Sequence, residues 1–464
     1  MDDILNMAAG AQAALIAAGR LSAQDLMRAT LERVAAVNGP LNAIVSLRDG
    51  DALLAEARAA DDAQASGPLH GLPIAIKDLA DAAGLPTSQG SPLFAGQIAA
   101  RDDLHVARLR KAGAIIIGKT NTPEFGLGSH TYNPVHGVTG NPYDPKLSCG
   151  GSSGGAAVAL ATGMLSIADG SDMMGSLRNP AGWNNVYGLR PSWGRVPAEP
   201  EGDTFLHQLS TNGPMARCPS DLALLLDVMS GPDPRQPHGM PPESFSPLSD
   251  EVKGKRIGWL GDWGKACSYE AGILPLVEDA FQVFEGLGCV VDAIAPPFSS
   301  EALWDSWITL RSWSVGASLA PLLDSGRLKP EAVWEAERGQ ALSAMDVHRA
   351  SVLRSDWFGC AAQLFDRYDA LVLPTAQVWP FPVDRSYPTE IAGQKMDTYH
   401  RWMEVVIPAS LIGLPAVAVP AGFGAQGLPM GMQLIGRRGD DIGLLELAQA
   451  YHLATEWPQN RPPG

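Results

Sequence analysis

Short apolar segments alternate with segments of helical periodicity over most of this chain. The apolar segments predict strands at Leu72–Ile76, Ile115–Ile117, Arg256–Leu260, Ala370–Leu373 and Ala416–Val419. Strands that are apolar along their whole length are typical of sheets covered by helices on both faces. The sequence therefore predicts an α/β fold in which helices surround a mostly buried central β-sheet.

Helices are predicted before the first strand and between the later ones. Residues 5–65 are mainly helical in pattern, and Ser22 and Asp25 have the spacing of a capping box. Further helices are predicted at Asp103–Lys111, Gly155–Gly163 and Leu444–Ala454.

The length of 464 residues allows one large core or two smaller ones. The Pro-rich stretch 228–250 is the only candidate linker, but the later strands can rejoin the same sheet. We therefore predict a single domain over 1–464, with N-terminal helices in 1–66 and a core region in 67–227. A mostly helical insertion at 300–405 carries seven of the twelve tryptophans: Trp304, Trp307, Trp313, Trp334, Trp357, Trp379 and Trp402.

Charge and cysteine content exclude several classes of function. The net charge of −16 argues against nucleic-acid or anionic-membrane partners, and no apolar run approaches the roughly 20 residues of a membrane span. The acidic start Met1-Asp2-Asp3 is unlike a secretory signal. The five cysteines are scattered, without Cys-x-x-Cys spacing, so neither a disulfide framework nor a zinc ribbon is indicated. A cytoplasmic location is predicted.

The segment Gly113–Thr120 matches the letters of a phosphate-binding P-loop. A P-loop follows its strand, and its variable positions curl around phosphate groups. Here the variable positions include Ile115–Ile117, which is the predicted strand itself, and Pro123 disfavours a helix directly after Lys119. Nucleotide binding is therefore not expected.

The segment Gly150–Gly154 matches the G-x-S-x-G pattern of a serine-hydrolase nucleophile elbow. That elbow requires a strand directly before it, whereas residues 140–155 are rich in Asn, Pro, Ser and Gly and predict an irregular loop. No histidine in the middle of the chain has an evident catalytic context. A Ser-His-Asp esterase is therefore not favoured.

Lys77, Ser152 and Ser176 offer a different chemistry. A serine hydroxyl needs a neighbouring base to act as a nucleophile, and a neutral lysine can serve where histidine is missing. The ordinary lysine pKa of about 10.4 must then fall towards 7 through burial or positive neighbours. The apolar segment before Lys77 provides such an approach, although a surface lysine after a core strand is the simpler interpretation of Lys77 alone.

The surroundings of these three residues add a family resemblance. Lys77 follows Gly71-Leu72-Pro73-Ile74-Ala75-Ile76, Ser152 lies in the loop Gly150–Gly155, and Ser176 lies in Gly175-Ser176-Leu177-Arg178. In this order they resemble the amidase signature family of Ser-Ser-Lys hydrolases. Further matching segments are Lys119–Phe125, Pro180-Ala181, Gly188–Pro191, Gly194–Val196, Gly213–Arg217 and Gly413–Pro420, so that the resemblance spans about 20–455.

The resemblance implies a mixed central sheet and a role for each of the three residues. Ser176 corresponds to the nucleophile, Ser152 to a bridging serine preceded by a cis peptide bond, and Lys77 to the base. The implied reaction is hydrolysis of an amide C–N bond in a small molecule through an acyl-enzyme. No cofactor or metal is expected.

Supporting residues carry over in the same way. The backbone amides of Met173, Met174, Gly175 and Ser176 correspond to the oxyanion hole, where one lost donor can cost about 10²–10³ in rate. Asp172 and Arg178 match a supporting polar pair, and Gly126 lies where the family contacts substrate, as does Ser152. Ser153 and Lys119 are predicted to be structural.

Two features bear on the substrate. Met173-Met174 replaces small residues usual in the family, which predicts a reshaped pocket beside Ser176. The tryptophans of 300–405 suggest an apolar channel over the active site, and hence hydrophobic or aryl amides.

Other functions remain open at this point. Carbamate or ester cleavage would use the same residues, and a glutaminase-type subunit of an amidotransferase would require partner subunits and a polar pocket that bears arginine. A non-catalytic binding protein on this fold belongs to another class. The oligomeric state is also open, a homodimer being one option.

Overall fold

The computed structural model describes residues 2–463 and contains both helices and strands along the whole of this range. The α-helices are α1 (Asp2–Asn6), α2 (Ala9–Ala17), α3 (Ala23–Leu41), α4 (Gly50–Asp61), α5 (Leu104–Lys111), α6 (Gly154–Ala161), α7 (Arg178–Trp183), α8 (Pro219–Met229), α9 (Ile273–Gly286), α10 (Ser300–Leu319), α11 (Pro330–Gln340), α12 (Ala344–Leu364), α13 (Ile407–Leu411) and α14 (Asp441–Thr455). The 3₁₀ turns are Glu124–Gly126, Ala320–Ser325, Arg401–Val406 and Trp457–Gln459. Within residues 2–463, every helix is too short or too polar to cross a membrane.

The strands form one large sheet and several small ones. They are β1 (Ile44–Val45), β2 (Pro73–Lys77), β3 (Ile115–Thr120), β4 (Tyr132–Asn133), β5 (Gly137–Val138), β6 (Gly140–Asn141), β7 (Asp144–Ser148), β8 (Ile167–Asp172), β9 (Tyr187–Arg190), β10 (Thr211–Ala216), β11 (Arg256–Trp259), β12 (Val290–Ala293), β13 (Ala370–Pro374), β14 (Glu390–Ile391), β15 (Gln394–Lys395), β16 (Ala416–Phe423) and β17 (Pro429–Gly436).

The central sheet has eight strands in the order β12-β11-β13-β17-β16-β9-β10-β8. β11 is parallel to β12 and β13, whereas the other neighbours are antiparallel, so the sheet is mixed as predicted. Strands from both sides of the Pro-rich stretch 228–250 pair within it. The single-domain α/β fold is therefore confirmed.

The two earliest predicted strands lie outside that sheet. Leu72–Ile76 and Ile115–Ile117 belong to β2 and β3, which pair in parallel and form a three-stranded sheet with β1. The end of β2 is fixed against the edge strand β8, because the Lys77 amide donates to Asp169 Oδ1 at 2.9 Å. This bond brings Lys77 beside the last residues of β8.

The segment Gly113–Thr120 is not a P-loop, because its variable positions form a strand as predicted. The variable positions lie in β3, and Lys119 is buried, with its ammonium donating to Ala80 O and to Thr87 Oγ1. Lys119 therefore holds the loop after β2 in place and is structural.

The prediction of an irregular loop over 140–155 is partly wrong. β6 and β7 form a small hairpin there, closed by the turn-forming Asn141 side chain, which accepts from the Tyr143 amide at 2.9 Å. The hairpin is separate from the central sheet and ends at Ser148, before Ser152. A short strand thus precedes Gly150–Gly154, but not the central-sheet strand of a nucleophile elbow.

The helical insertion is shorter than predicted. Helices fill 300–364, but Ala370–Pro374 within the expected 300–405 region is a strand of the central sheet. A hydrophobic cluster, separate from the main core, lies between these helices and the central sheet. It buries Trp304, Trp307, Trp357 and Trp402, and Trp313, Trp334 and Trp379 pack against it. These side chains form core packing rather than a channel.

Helix α6 approaches the neighbouring backbone very closely. A Cβ on Gly155 would lie 2.3 Å from Asn121 N and 2.5 Å from Ala43 O, which are main-chain atoms that cannot move aside cheaply. We expect Gly155→Ala to lower the free energy of unfolding by about 1–3 kcal/mol through overpacking. Denaturant midpoints measure this, with Gly359→Ala as control, because a Cβ there meets nothing within 4 Å. Equal midpoints for the two variants would contradict the packing described.

Candidate active site

Lys77, Ser152 and Ser176 meet at one end of the two sheets. Lys77 is the last residue of β2, Ser152 precedes α6, and Ser176 lies in the turn between β8 and α7. Ser152 and Ser176 line the same cavity of about 210 Å³. The Ser153 amide donates to Ser176 O at 3.2 Å, so the two serine loops are joined through their backbones.

The Lys77 amine is buried among serine oxygens. Its Nζ lies 2.8 Å from Ser152 Oγ, 2.8 Å from Ser153 Oγ and 3.0 Å from Ser171 Oγ. Burial lowers the pKa of Lys77 to about 7, although the carboxylates of Asp169 and Asp172 act in the opposite direction. A substantial fraction of this lysine is therefore neutral near neutral pH.

The serine cluster fits a neutral amine. A neutral amine carries two N–H groups and one lone pair. Ser153 Oγ and Ser171 Oγ can accept the two N–H groups, which directs the lone pair towards the Ser152 hydroxyl. In this arrangement Lys77 can take a proton from Ser152.

Ser176 is 8% exposed and opens into the cavity. Among the hydrogen bonds found in residues 2–463, none joins the Ser176 and Ser152 hydroxyls. The contact from Lys77 to Ser152 is formed at 2.8 Å, whereas proton transfer from Ser176 to Ser152 requires these two side chains to adopt hydrogen-bonding geometry. Catalytic hydrogen bonds in ligand-free sites are often long in this way. The Gly151–Ser152 peptide bond is cis, as the resemblance implied.

Asp172 shapes the turn that carries Ser176. Its carboxylate accepts from the amides of Gly175 at 2.9 Å and Leu177 at 3.1 Å. Gly175 has a φ of +81°, and a Cβ there would lie 2.9 Å from Val406 Cγ1. Glycine is therefore required next to Ser176 on both conformational and steric grounds.

Two arginines compensate the buried charge of Asp172. Arg178 forms a bidentate pair with it, at 3.0 Å for both Nε and Nη2, and Arg190 Nη1 lies at 3.3 Å. Burial acts to raise the pKa of Asp172, but the two guanidinium groups outweigh it and hold that pKa well below its ordinary value. Arg178 also donates to Val406 O at 3.0 Å and Ser410 Oγ at 2.6 Å. The pair thus anchors the Ser176 turn to the later part of the chain.

The expected oxyanion donors separate into two groups. The Gly175 amide is not free, because it donates to Asp172 Oδ1. The amides of Met173, Met174 and Ser176 have no acceptor among residues 2–463. Of the four amides predicted to form the oxyanion hole, three are thus without an acceptor, and all three belong to residues that line the cavity.

The cavity walls differ from the sequence prediction. None of the seven tryptophans of 300–405 lines this cavity, so the channel inferred from them is wrong. Instead the apolar part of the wall consists of aliphatic and thioether side chains and one phenyl ring: Leu79, Phe125, Leu127, Met173, Met174, Val315, Leu319 and Met403. Apart from the serines already described, the polar part consists of Gln89, Ser210, Arg311, Ser314 and Ser318. Gly126 does line the cavity, and a Cβ there would lie 3.5 Å from Ser152 Oγ.

Sequence reasoning missed three residues at this site. Ser171 contacts the Lys77 amine, and Asp169 accepts the Lys77 amide while facing His105 Nε2 at 3.2 Å. Arg311 enters the cavity wall from α10. The spacing of Asp169, Ser171 and Asp172 on one strand was the available signal, but it required recognising β8.

Comparison with known proteins agrees with this geometry. The Amidase family model matches residues 25–445. An acylamidase from Rhodococcus erythropolis is 34% identical over 98% of this chain and 97% of its own. A glutamyl-tRNA(Gln) amidotransferase subunit from Chloroflexus aurantiacus is 34% identical over 100% of this chain and 99% of its own.

A solved structure extends the comparison to the fold. A bacterial aryl acylamidase described as an amidase signature enzyme superposes with a TM-score of 0.91 and 28% identity, covering 98% of this chain and 99% of that one. Family model, relatives and fold therefore agree over nearly the whole chain. This chain belongs to the amidase signature family of enzymes, which hydrolyse carbon–nitrogen bonds in amides.

Proposed function

We propose that this protein is an amidase that cleaves hydrophobic or aryl amides through an acyl-enzyme on Ser176. The observation that carries the proposal is the buried Lys77 amine, 2.8 Å from Ser152 Oγ and with a pKa lowered to about 7 by burial. An amine of this kind is a base at neutral pH, and it lies directly behind the cavity that Ser176 enters.

The proton moves along Ser176, Ser152 and Lys77. Neutral Lys77 takes the hydroxyl proton of Ser152, and Ser152 in turn takes the hydroxyl proton of Ser176. At the same time Ser176 Oγ forms a bond to the substrate carbonyl carbon. When the C–N bond breaks, the proton returns by the same route to the leaving nitrogen, which departs as an amine. Water then attacks the ester, and the relay operates again to release the carboxylic acid and restore Ser176.

The negative charge on the carbonyl oxygen is stabilised by backbone amides. Met173, Met174 and Ser176 supply the donors, whereas the Gly175 amide acts indirectly by holding Asp172. Preorganised donors of this type are worth about 10²–10³ in rate each. Asp172 and Arg178 are positioning residues, since their contacts fix the turn rather than reach the cavity.

The preference for hydrophobic or aryl groups rests on the cavity walls and no longer on the tryptophans. Phe125, Leu127, Val315 and the two methionines beside Ser176 offer apolar surface to a substrate in the cavity. Met173 and Met174 are flexible and adapt to differently shaped groups. The similarity to proteins called acylamidase and aryl acylamidase supports the same class of substrate.

Carbamate or ester hydrolysis at the same site remains an alternative, because Ser176 would attack those carbonyls by the same path. A glutaminase-type subunit is the other alternative, supported by the similarity to the amidotransferase relative and by Arg311 in the cavity wall. Against it, Arg311 is already paired with Glu335. A non-catalytic binding protein is not supported, since the family and the complete Lys77 cluster both indicate an enzyme.

A labelling experiment combined with a substrate panel tests the proposal. The full chain is treated with a fluorophosphonate, and peptide mapping locates the adduct. Anilides, aliphatic amides, carbamates, esters and glutamine are then assayed. We expect an adduct on Ser176 and the highest kcat/KM for anilides. An adduct elsewhere, or none, contradicts the Ser176 assignment, and faster cleavage of glutamine, carbamates or esters supports the corresponding alternative.

A further inference from the structure

Helix α10 presents one charged group, the Arg311 guanidinium, to a cavity wall made of apolar and small polar side chains. Arg311, Ser314, Val315 and Ser318 lie at helical intervals, so one face of α10 lines the cavity. Arg311 is the only one of the four that is charged, and it is 3% exposed. A buried guanidinium in this position needs a structural partner, a ligand, or both.

Part of Arg311 has a structural partner. Its Nε donates to Glu335 Oε1 at 2.6 Å and its Nη2 to Tyr399 OH at 2.8 Å. Glu335 in turn accepts from Ser312 Oγ at 2.8 Å and from Tyr399 OH at 2.9 Å. This network fixes the orientation of the guanidinium and holds it beside the cavity.

The remaining nitrogen has only a weak partner. Among residues 2–463, Arg311 Nη1 contacts a single acceptor, the thioether Sδ of Met173 at 3.4 Å. A thioether is a poor acceptor, and buried donors are normally paired with oxygen. Met173 is flexible and partly exposed, so its sulfur can give way to an oxygen atom from a bound molecule.

The charge balance around Arg311 determines which kind of ligand oxygen its Nη1 can bind. Glu335 is completely buried and already neutralises Arg311, so a carboxylate on the ligand would add an uncompensated buried charge. A neutral carbonyl, ether or sulfonyl oxygen accepts the Nη1–H without that cost. The apolar walls around Met173 fit the rest of such a group.

We propose that Arg311 Nη1 forms a subsite for a neutral, hydrogen-bond-accepting oxygen on the apolar part of the substrate, away from the scissile amide. The inference rests on the proposed amidase function and narrows its substrates to apolar amides that carry one such oxygen. Arg311 is thus a specificity-determining residue that contacts substrate.

Matched probes test the subsite. One pair consists of the anilides of 4-methoxyphenylacetic and 4-ethylphenylacetic acid. The second pair consists of the phenylacetyl amides of 4-methoxyaniline and 4-ethylaniline, and a fifth probe is the anilide of 4-carboxyphenylacetic acid. Each methoxy group replaces a methylene by an oxygen with little change in shape. The ratio of kcat/KM within a pair therefore measures how much the oxygen contributes to recognition. Differences in the chemical reactivity of the two probes are the same for every variant, so they cancel when the ratio is compared between variants.

The variants separate recognition from folding. Arg311→Met alone leaves Glu335 unpaired, so Arg311→Met is combined with Glu335→Gln, which keeps the contacts to Ser312 and Tyr399. We expect the methoxy-to-ethyl ratio in at least one pair to fall by about 10- to 100-fold, the factor for a hydrogen bond to a charged group. Arg349→Met, at a surface ion pair on α12, serves as the matched control and leaves the ratio unchanged.

The single variant Glu335→Gln tests the charge argument. It leaves Arg311 without its counterion, so kcat/KM for the 4-carboxy probe is expected to rise at least tenfold relative to the 4-ethyl probe. A methoxy preference that does not depend on Arg311, or a wild-type preference for the carboxy probe, overturns the proposal. Fluorophosphonate labelling of Ser176 in every variant distinguishes these results from failure of the amidase function, which would remove labelling and turnover of all probes together.

Discussion

Replacing Ser176 with alanine is expected to lower kcat/KM for the best amide substrate by at least about 10⁴-fold, because no acyl-enzyme can form. The loss should be confined to chemistry. The Ser176 hydroxyl makes no hydrogen bond to another part of residues 2–463, so its removal leaves no buried group without a partner. Binding of an unreactive substrate analogue and the unfolding midpoint are therefore expected to match those of the wild type.

Steady-state kinetics and intact-mass labelling check this prediction. Ser355→Ala provides a matched control, since Ser355 is an exposed serine on α12 whose hydroxyl bonds only to its own helix. The control should retain wild-type turnover and labelling. Turnover of Ser176→Ala within about 100-fold of the wild type would show that another group, or an activated water, attacks the carbonyl.

The strand segments that are apolar along their whole length were predictable from the sequence. β2, β3, β13 and β16 are rich in Val, Ile, Leu and Ala and are buried on both faces. β11 has the shorter buried segment Ile257–Trp259, and the pattern identifies these strands directly. The lysine and serine motifs were likewise readable because each lies at the end of such a strand or in a Gly-rich loop. What the pattern could not tell is that Lys77 belongs to a second, three-stranded sheet.

Five strands of the central sheet, β8, β9, β10, β12 and β17, were not predicted. In β8 and β10 the reason is that many residues are polar or turn-forming and serve the site rather than the sheet. β8 reads Ile-Ala-Asp-Gly-Ser-Asp, and its polar side chains are buried against Lys77, His105 and Arg178. β10 contains Asn, Gly and Pro, and its strand geometry follows from pairing with β8 in full register. Tertiary partners override local propensity in both strands. Asp169 and Ser171 were missed for this reason.

The tryptophans show the opposite error. Their clustering in sequence suggested a shared surface, but large aromatic side chains are most often core residues. In the structure four of them are buried in the cluster between the helices α10–α12 and the sheet. On α10 itself, Trp304 and Trp307 lie on the same side of the helix as the cavity residues Arg311, Val315 and Ser318 but closer to its N-terminus. Which turns of a helix meet a cavity depends on packing partners far along the chain, here Met173 and Tyr399.

Replacing Lys77 with methionine is expected to lower kcat/KM by about 10²–10⁴-fold, the usual contribution of a general base. The pH profile carries the more specific prediction. Since the neutral amine is the base and burial lowers the pKa of Lys77 to about 7, wild-type kcat/KM should rise with pH and level off above about 7. Lys77→Met should lose this inflection as well as the rate.

Lys111→Met is the control for the substitution itself, because Lys111 is exposed at the end of α5. It should retain both the rate and the inflection. An inflection near pH 7 that survives in Lys77→Met would assign the titration to another group and contradict the relay. The unfolding midpoint of Lys77→Met shows whether a loss of activity comes from the missing base or from a variant that does not fold.

The same variant connects function with stability. The Lys77 amine has a pKa of about 7 in the folded protein and 10.5 in the unfolded chain, so the folded protein binds the proton less tightly. The free energy of unfolding therefore decreases as the pH falls from about 10.5 to 7, and it changes little below that range. The cost at pH 7 is roughly 4 kcal/mol. Methionine has a similar length and no charge to bury, so Lys77→Met is expected to be at least as stable as the wild type at pH 7. A less stable variant would indicate that Lys77 is a structural link between Ser152, Ser153 and Ser171; a more stable one indicates that the fold maintains a costly amine for its chemistry.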